Sequence, residues 1–457
     1  MNTGIDLVYD DARTPSTANA SARGRQLRHG SGVKRLVGRI LSLLERGFVV
    51  FSLLVGVGGI AAFVPYENPF DVSEGSLVLR RIWMANYLIT LILVAPRWKR
   101  VITPLLRDPV LILLMALVAL SLSWSETPEI ALRRAVALFG TTLFGAYMAA
   151  RFSFRDQLVL VITMCTIAML MSIAIVFLIP EMGIMTQGAY QGAWRGSFSH
   201  KNPLARTMVL AALAYALIPT QTLLGRASRW LGIFAAVGLV MMANSATAIL
   251  ALVALWGFYR LVRMQRWQAR ARLAVFAIGA AGAISVGVLI IDNLEVIFGW
   301  FGRDTSLTGR TLLWSSAIQM IEQRPLLGYG YSSFWLGAQS AAGIIWQAVG
   351  WDPGHAHNGF VDLTLDLGLL GLCLYLIHYS ISFFRALGFS RAIENGIGVW
   401  PIMYLGNVLI YNQTESAIIK QNHSFWILYV AVVLSLRIYG GGVMTPVQKA
   451  PASPGAT

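Results

Sequence analysis

The stretch LVLVITMCTIAMLMSIAIVFLI, residues 158–179, contains no charged side chain. The hydrocarbon core of a bilayer is about 30 Å thick, and a helix needs roughly 20 mostly apolar residues to cross it. This stretch has the required length and composition. It therefore predicts a transmembrane helix.

Similar apolar runs recur on both sides of this stretch and give about twelve predicted spans. They lie near 47–65, 82–96, 109–124, 135–150, 158–179, 203–219, 230–243, 246–259, 273–292, 359–380, 397–413 and 423–436. The runs around Asn244 and Ser245 are either two short spans or one broken helix, and Pro401 and Asn407 interrupt another run. No soluble fold requires so many uninterrupted apolar runs. The chain is therefore predicted to be an all-α polytopic inner-membrane protein.

Composition and charge agree with a membrane protein whose termini are cytoplasmic. Of 457 residues, 56% are hydrophobic and 12% charged, with a net charge of +15, whereas soluble domains carry about 25% charged residues. Lys and Arg in short loops stay on the cytoplasmic side. With the N-terminus inside, that side receives 25 of the 36 basic residues and 7 of the 21 acidic ones. The net charge is then +18 (25 − 7) inside and −3 (11 − 14) outside, which supports this orientation and excludes nucleic acid as a partner.

The predicted spans divide the chain into five parts. Residues 1–46 are rich in Ser, Thr, Ala, Gly and Arg and are predicted to form a disordered basic cytoplasmic tail. Spans one to nine occupy 47–292, a periplasmic loop occupies 293–358, and the last three spans occupy 359–438. The tail 439–457 is predicted to be disordered. The two cysteines of the chain both lie inside predicted spans, which excludes a disulfide framework and a thiolate zinc site.

The predicted outer loop between spans five and six ends in RGSFSHKNPLAR, residues 195–206. Asn202 is a good N-cap and Pro203 suits the first helical position, so the sixth span is predicted to begin there. The free backbone N–H groups of that first turn would favour an anion. The side chains that could join this anion site are Arg195, His200, Lys201 and Arg206.

Two interpretations of these cations remain open. Arg195 and Lys201 could simply extend to lipid headgroups without taking part in a site. Arg206 is harder to explain in that way, because it lies one turn into a span. A cation at that depth is costly and usually faces protein or a polar cavity.

The second predicted outer loop, residues 293–358, is long enough to be functional rather than a simple connection. An amphipathic stretch begins at TGR, residues 308–310, and ends at Pro325, which predicts an interfacial helix on the outer leaflet. Arg303 and Arg310 could reach lipid phosphate there, or they could be solvated loop charges. The sequence PLLGYG that starts at Pro325 predicts a tight turn.

The second loop closes with DPGHAHN, residues 352–358, for which three interpretations compete. Asp352, His355 and His357 could bind a metal ion, although they lack the helical i, i+4 pairing of many zinc sites. The histidines could instead be structural. In the third interpretation one of them is a general base at the membrane surface, because imidazole takes up a proton near neutral pH.

Two carboxylates follow this segment in the outer half of the tenth span. Asp362 and Asp366 have i, i+4 spacing, which places them on one helix face. They are predicted to point inward, where they orient a base or hold a polar substrate; otherwise they mark a shallow, hydrated helix end. The chain has no Gly-rich phosphate loop, no Asp-x-Asp motif and no Gly-x-Ser-x-Gly motif. Cationic side chains rather than a metal would therefore have to stabilise any developing phosphate charge.

These motifs resemble those of the O-antigen ligases and polymerases, bacterial membrane glycosyltransferases that use lipid-diphosphate-linked sugars. The most specific element is His357-Asn358, followed after nine residues by Gly368 and Gly371. Supporting segments are RGSFSHKNPLA, TGRTLLW and PLLGYG. The resemblance covers roughly 190–375, and the run HAHNGFVDLTLDLGLLG is particularly similar to the branch that polymerises exopolysaccharide repeats.

The resemblance implies a glycosyltransferase-C-like fold and a metal-independent, inverting transfer without a cofactor. The donor would be an undecaprenyl-diphosphate-linked oligosaccharide and the acceptor a glycan hydroxyl at the periplasmic surface. His357 matches the family's catalytic base, and Arg195 and Arg310 match arginines assigned to the donor diphosphate. A third arginine of many ligases is missing near Asn244, so that either this phosphate contact is absent or Arg206, Lys201 or Arg303 provides it. The resemblance leaves supporting roles for His200, Asn202, His355, Asn358, Asp362 and Asp366.

Alternative functions remain open. Within the family, an O-antigen ligase that acts on lipid A core and a protein O-glycosyltransferase share the donor chemistry and differ in the acceptor. The polymerase is favoured because the segment around His357 resembles that branch, and a chain-length regulator or export complex would then be a further partner. A flippase for lipid-linked oligosaccharides should bury charges in mid-span around a cavity. This chain instead concentrates ionisable residues at the outer ends of spans and in one long loop.

Overall fold

The computed structural model of the chain is built from helices, and it describes residues 17–64, 76–186, 190–264, 310–393 and 395–440. The helices are α1 (Thr17–Gly56), α2 (Leu77–Val94), α3 (Trp98–Leu106), α4 (Pro109–Leu120), α5 (Pro128–Arg151), α6 (Phe154–Leu178), α7 (Pro180–Gly183), α8 (Lys201–Leu217), α9 (Leu223–Met242), α10 (Ala246–Met264), α11 (Arg310–Gln323), α12 (Ala342–Val349), α13 (Gly359–Ala392), α14 (Gly396–Tyr411) and α15 (Ser424–Gly440). Within these ranges, extended pairing is limited to one bridge between Ile184 and Trp194. An all-helical fold is confirmed for the described residues.

Among the described residues, five helical segments are long and apolar enough to cross a membrane. They are Leu77–Leu106, Phe154–Leu178, Leu223–Met242, Ala246–Met264 and Gly359–Ala392. Shorter apolar helices occupy Pro109–Ser123, Gly396–Tyr411 and Ser424–Tyr439. Each predicted span among the described residues overlaps a helix, and the span 273–292 lies outside them. The number of twelve spans and the periplasmic loop remain predictions.

The chain divides into two compact units, with the boundary in the sequence between Phe51 and Ser52. The first unit contains most of α1, which begins at Thr17, although the sequence predicted disorder up to residue 46. Residues 33–46 explain the helix, because they are dominated by Leu, Ile, Val, Lys and Arg and contain no proline. The second unit contains the candidate site.

The break between α9 and α10 bears on whether the runs around Asn244 and Ser245 are two short spans or one broken helix. Asn244 has a left-handed backbone, with φ of 46°, and residues 243–245 separate the two helices. A left-handed residue cannot continue a right-handed helix, and Asn tolerates this conformation better than most residues. The region around Asn244 therefore contains two helices rather than one.

Helix α13, predicted as a continuous span from residue 359 to 380, is broken at Gly368, where φ is 65°. The predicted turn of residues 325–330 docks into this break. The N–H of Leu369 donates to the carbonyl of Pro325 at 2.8 Å, and the N–H of Tyr329 donates to the carbonyl of Leu365 at 2.8 Å. A Cβ atom on Gly368 would lie 2.2 Å from the Leu326 carbonyl. Glycine is therefore required there by both the backbone conformation and the close approach of the turn.

The predicted amphipathic helix exists as α11 and packs mainly on protein. Leu313, Ala317 and Met320 are buried in a core cluster with residues of α12, α13 and the intervening segments. Leu312 and Ile318 are 49% and 51% exposed. One part of the apolar side of α11 thus packs in a protein core, and the other part is exposed. The contact of the exposed part with lipid remains a prediction.

Candidate active site

The histidine segment HAHN is held in place by Asp362, in the first turn of α13. One oxygen of Asp362 accepts hydrogen bonds from the Ala356 N–H at 2.9 Å and from the Trp335 indole at 2.8 Å. The other oxygen accepts from the hydroxyl of Ser416, in the loop between α14 and α15. Because Ala356 lies between the two histidines, Asp362 fixes the backbone that presents both rings.

The two histidines contact each other through backbone and ring. The His357 N–H donates to Nδ1 of His355 at 3.1 Å, and the ring centroids are 4.1 Å apart. His357 has φ of 52°, a conformation that is uncommon for a residue other than glycine and that is often found at functional sites. Its Nδ1 atom is buried and has no hydrogen-bond partner among the described residues. The fold thus holds His357 in a strained position.

Glu415, in the loop between α14 and α15, completes this group. Its Oε2 lies 3.8 Å from Nδ1 of His357 and 3.9 Å from Nε2 of His355. These distances are too long for direct hydrogen bonds, but they permit strong electrostatic contact because all three side chains are mostly shielded from solvent. The other oxygen, Oε1, accepts from the Asn202 side chain at 3.2 Å. We call His355, His357 and Glu415 the imidazole–carboxylate cluster.

The electrostatics of the cluster keep its acid ionised and one of its imidazoles neutral. Burial alone would raise the pKa of Glu415, but the contact with His357 and the charges of His355 and Arg206 hold that pKa below its usual range. Burial, followed by the charge of Lys420, lowers the pKa of His355 well below 6.5. A carboxylate therefore lies beside His357 at neutral pH.

The same three side chains could hold a metal ion, because one ligand atom of each lies within 4.8 Å of the others. Asp352, the third ligand that the sequence suggested, is exposed and not part of this group. However, Nδ1 of His355 accepts the His357 N–H, so the neutral ring carries its proton on Nε2. A metal bound between the rings and Glu415 would need the lone pair of that Nε2 atom. The hydrogen bonding therefore favours an imidazole–carboxylate group over a metal centre.

Cationic side chains line three cavities around the cluster. Arg206, Lys420 and Arg134 lie on the wall of a cavity of about 450 Å³. Arg206 also lines a cavity of about 240 Å³ that reaches Glu415. Lys420 and Arg134 line a third cavity of about 190 Å³ together with His355. Cations therefore share cavities with two members of the cluster, Arg206 with Glu415 and Lys420 and Arg134 with His355.

Lys201 and Arg206 lie in the first two turns of α8 but have different surroundings. The Arg206 guanidinium donates to the hydroxyl of Tyr411 and lies 5.3 Å from the centre of its ring. Lys201 is 1% exposed, and its ammonium group donates to the carbonyl of Asn244 at 2.6 Å. Arg206 therefore borders the cavities, whereas Lys201 ties α8 to the break between α9 and α10.

The remaining residues of the first predicted loop differ in part from expectation. His200, not Asn202, caps α8, because its Nδ1 accepts the Asn202 N–H at 3.3 Å. The predicted N-cap was therefore wrong by two residues, and the Asn202 side chain instead reaches Glu415. Arg195 donates to the carbonyls of Met182 and Glu181 at 2.7 and 3.1 Å, which braces the chain after α6. Burial and then the charge of Lys201 lower the pKa of His200; the charge of Glu415 opposes this shift, and those of His357 and Arg195 add to it.

Other predicted site residues have separate positions. Asn358 caps α13 and accepts from the N–H groups of the following turn at 3.0 and 3.4 Å. Asp366 accepts a backbone hydrogen bond from Ser332 and lies near Arg134. Arg303 lies outside the described residues, and only the backbone of Arg310 is described, at the start of α11.

Three charged residues around the cluster were missed by the sequence analysis, namely Arg134, Glu415 and Lys420. Glu415 and Lys420 lie in the short segment QTESAIIKQNH between the last two predicted spans. Charged side chains in a short predicted outer loop could have indicated a site, because such residues near a membrane surface often face a cavity. Arg134 lies at the start of a predicted span, in the same situation as Arg206.

The long apolar helices and the buried cluster define a multi-pass membrane protein with a polar candidate site near helix ends. Residues 231–376 match the family described as O-antigen ligase. This match supports an O-antigen ligase family membrane protein, as the motifs predicted. Similarity to this family supports a glycosyltransferase-like enzyme.

Named relatives agree with this family. The exopolysaccharide production protein ExoQ of Rhizobium meliloti is 28% identical over 203 residues, which cover 42% of this chain and 46% of the relative. A protein of Rickettsia felis, named as a candidate polysaccharide ligase, is 34% identical over 136 residues, which cover 26% of this chain and 33% of that protein. The matched part of the chain spans less than half the length of these relatives.

Proposed function

We propose that the chain polymerises undecaprenyl-diphosphate-linked oligosaccharide repeat units into exopolysaccharide at the periplasmic face of the inner membrane. The transfer would be inverting and independent of metal. The observation that carries this proposal is the His357–Glu415 pair, of which Glu415 lines a cavity together with Arg206. A base and a group of cations are what glycosyl transfer from a diphosphate requires.

Each part of the site has a role in the proposed reaction. The acceptor hydroxyl oxygen attacks the anomeric carbon of the donor sugar, and His357 takes the hydroxyl proton. The bond between that carbon and the diphosphate oxygen breaks, and undecaprenyl diphosphate leaves with the electron pair. Arg206, Lys420 and Arg134 stabilise the charge that develops on the leaving group. Glu415 stabilises the imidazolium ion that forms on His357, as the carboxylate of a catalytic triad does.

The polymerase is favoured over the ligase alternatives by one relative and one segment. ExoQ is named for exopolysaccharide production and matches 42% of this chain, and the segment around His357 resembles the polymerase branch. The Rickettsia relatives, named for polysaccharide ligation, support the ligase alternative. Purified protein supplied with a lipid-linked donor and different acceptors separates these activities, because only the acceptor differs between them.

The substitution His357→Ala tests the proposal. In cells that lack the native copy, this variant should reach the membrane at the normal level but form no polymer, and unpolymerised lipid-linked repeats should collect on the outer side. His29→Ala, in the predicted cytoplasmic tail, is the matched control and should form polymer normally. Normal polymer from His357→Ala would contradict the proposal. Repeats that collect on the inner side would instead indicate a flippase.

A further inference from the structure

A second cluster of cations lies at the opposite ends of the helices that carry the candidate site. Lys99, Arg100, Arg107 and Arg437 line a cavity of about 530 Å³ at the C-terminal ends of α5 and α15. Arg437 lies 13 residues along α15 from Ser424, which corresponds to about 20 Å at 1.5 Å per residue. The cavity is therefore remote from the imidazole–carboxylate cluster.

The charge of this cavity is only partly neutralised by the protein. Asp108 is 1% exposed and pairs with Arg437 and with His378. Arg100 and Arg107 are exposed, and their guanidinium groups have no hydrogen bond or ion pair within the described ranges. Four cations therefore face one ionised carboxylate, which leaves an excess charge of about +3 for a ligand to neutralise.

Helix α3, which supplies part of the cavity wall, has the character of an interfacial helix. Val101 and Pro104 are buried against the protein, whereas Trp98 and Leu106 are 55% and 69% exposed. A tryptophan beside lysine and arginine at the end of an apolar helix is typical of the membrane–water interface. The apolar segment Leu77–Leu106 ends here, so the cavity opens where lipid headgroups would lie if that segment crosses the membrane.

We infer that this cavity binds the headgroup of an anionic phospholipid with two phosphodiesters, as in cardiolipin. Basic pockets between transmembrane helices are known to take such headgroups. A single phosphodiester would leave most of the excess charge unneutralised, whereas two would nearly balance it. The ion pair with the buried Asp108 holds Arg437 at the edge of the cavity. The guanidinium groups of Arg100 and Arg107 remain available to bind the second phosphate.

Lipid binding by the purified full-length chain tests this inference. Wild-type protein in a neutral detergent is titrated with cardiolipin, phosphatidylglycerol, phosphatidylcholine and inorganic pyrophosphate, and bound lipid is counted by native mass spectrometry. The double variant Arg100→Gln/Arg107→Gln should bind cardiolipin about 25-fold more weakly, from roughly fivefold for each cation lost near a lipid phosphate. The double variant Arg226→Gln/Arg260→Gln removes the same charge from exposed residues outside the cavity and should lose less than about twofold.

Each outcome either supports or overturns the inference. Tight cardiolipin binding that only the cavity variant loses supports it. Equal losses in both double variants would show non-specific attraction to negative charge and would overturn it. Displacement of cardiolipin by equimolar pyrophosphate would indicate a site for a soluble anion, and equal binding of phosphatidylcholine would exclude charge recognition. Size-exclusion profiles that match the wild type verify that both variants are folded.

Discussion

Replacing Glu415 by Gln removes one charge from the imidazole–carboxylate cluster while preserving the side-chain shape. The amide oxygen of Gln can still accept the hydrogen bond that Asn202 donates to Glu415 at 3.2 Å. The main loss is the attraction between the carboxylate and the imidazolium that forms on His357 during proton transfer. The substitution therefore isolates the electrostatic role of Glu415.

The size of the effect follows from the distance between the two groups. Glu415 Oε2 and His357 Nδ1 are 3.8 Å apart, and the side chains retain 13% and 23% exposure. Unit charges at that separation attract by about 4 kcal/mol at an effective dielectric constant of about 20, and by about 1 kcal/mol in bulk water. The rate should therefore fall by between about fivefold and 1,000-fold, with about 100-fold as the central expectation, since 1.36 kcal/mol is a factor of ten.

Polymer formation from a lipid-linked donor is the assay, with kcat and KM determined separately. Because the carboxylate is proposed to stabilise an ion that forms only during proton transfer, its removal should lower kcat and leave KM close to the wild-type value. A purely structural role of Glu415 would disturb substrate binding as well and raise KM. Glu181→Gln is the matched control, because Glu181 is exposed and outside the cluster. A kcat within about threefold of wild type would refute the reasoning.

Three further substitutions or treatments probe the fold and the site. Gly368→Ala places a Cβ atom 2.2 Å from the Leu326 carbonyl. This substitution should destabilise the protein by at least about 2 kcal/mol, measured as a lower melting temperature in detergent. Gly388→Ala, where a Cβ atom meets open space, should leave the melting temperature unchanged. The pKa of His355 lies well below 6.5 in the folded chain, so acidification from pH 7 protonates this group in the unfolded state first. As the pH drops below 6.5 the melting temperature should therefore decrease, and it should decrease less in His355→Gln. The same pH dependence in both proteins would contradict this assignment. Arg206→Gln should cause lipid-linked repeats to accumulate, whereas the control Arg226→Gln, at an exposed position, should not. Equal amounts of lipid-linked repeats in both variants would argue against a diphosphate role for Arg206.

The sequence was a good guide wherever the information is local. Apolar runs predict helices because a membrane helix satisfies its backbone hydrogen bonds internally, and each predicted span in the described ranges overlaps a helix. The histidine segment was found because its motif is contiguous. Glu415 was missed because it lies 58 residues from His357, and nothing in the local pattern pairs the two.

The broken helix shows the same limit more clearly. Gly368 was recognised as part of a motif, but a glycine within an apolar run does not reveal a break. The break is stabilised by hydrogen bonds from a turn about forty residues earlier in the chain. The helix could therefore be predicted from its own residues, whereas its interruption depends on a tertiary contact.

The positions of the charged residues favour the proposed transferase over a transporter. A transporter places its binding site near the middle of the membrane, between broken helices. In this chain, Arg206 lies in the second turn of α8, and Glu415 and Lys420 lie in the loop between two helices. At the break in α13, backbone groups of Leu365, Asp366, Leu369 and Leu370 are hydrogen-bonded to the turn at Pro325, so these groups are not available to a transported ion. The charged site is at helix ends, where a lipid diphosphate can remain in the headgroup region while its sugar meets the acceptor.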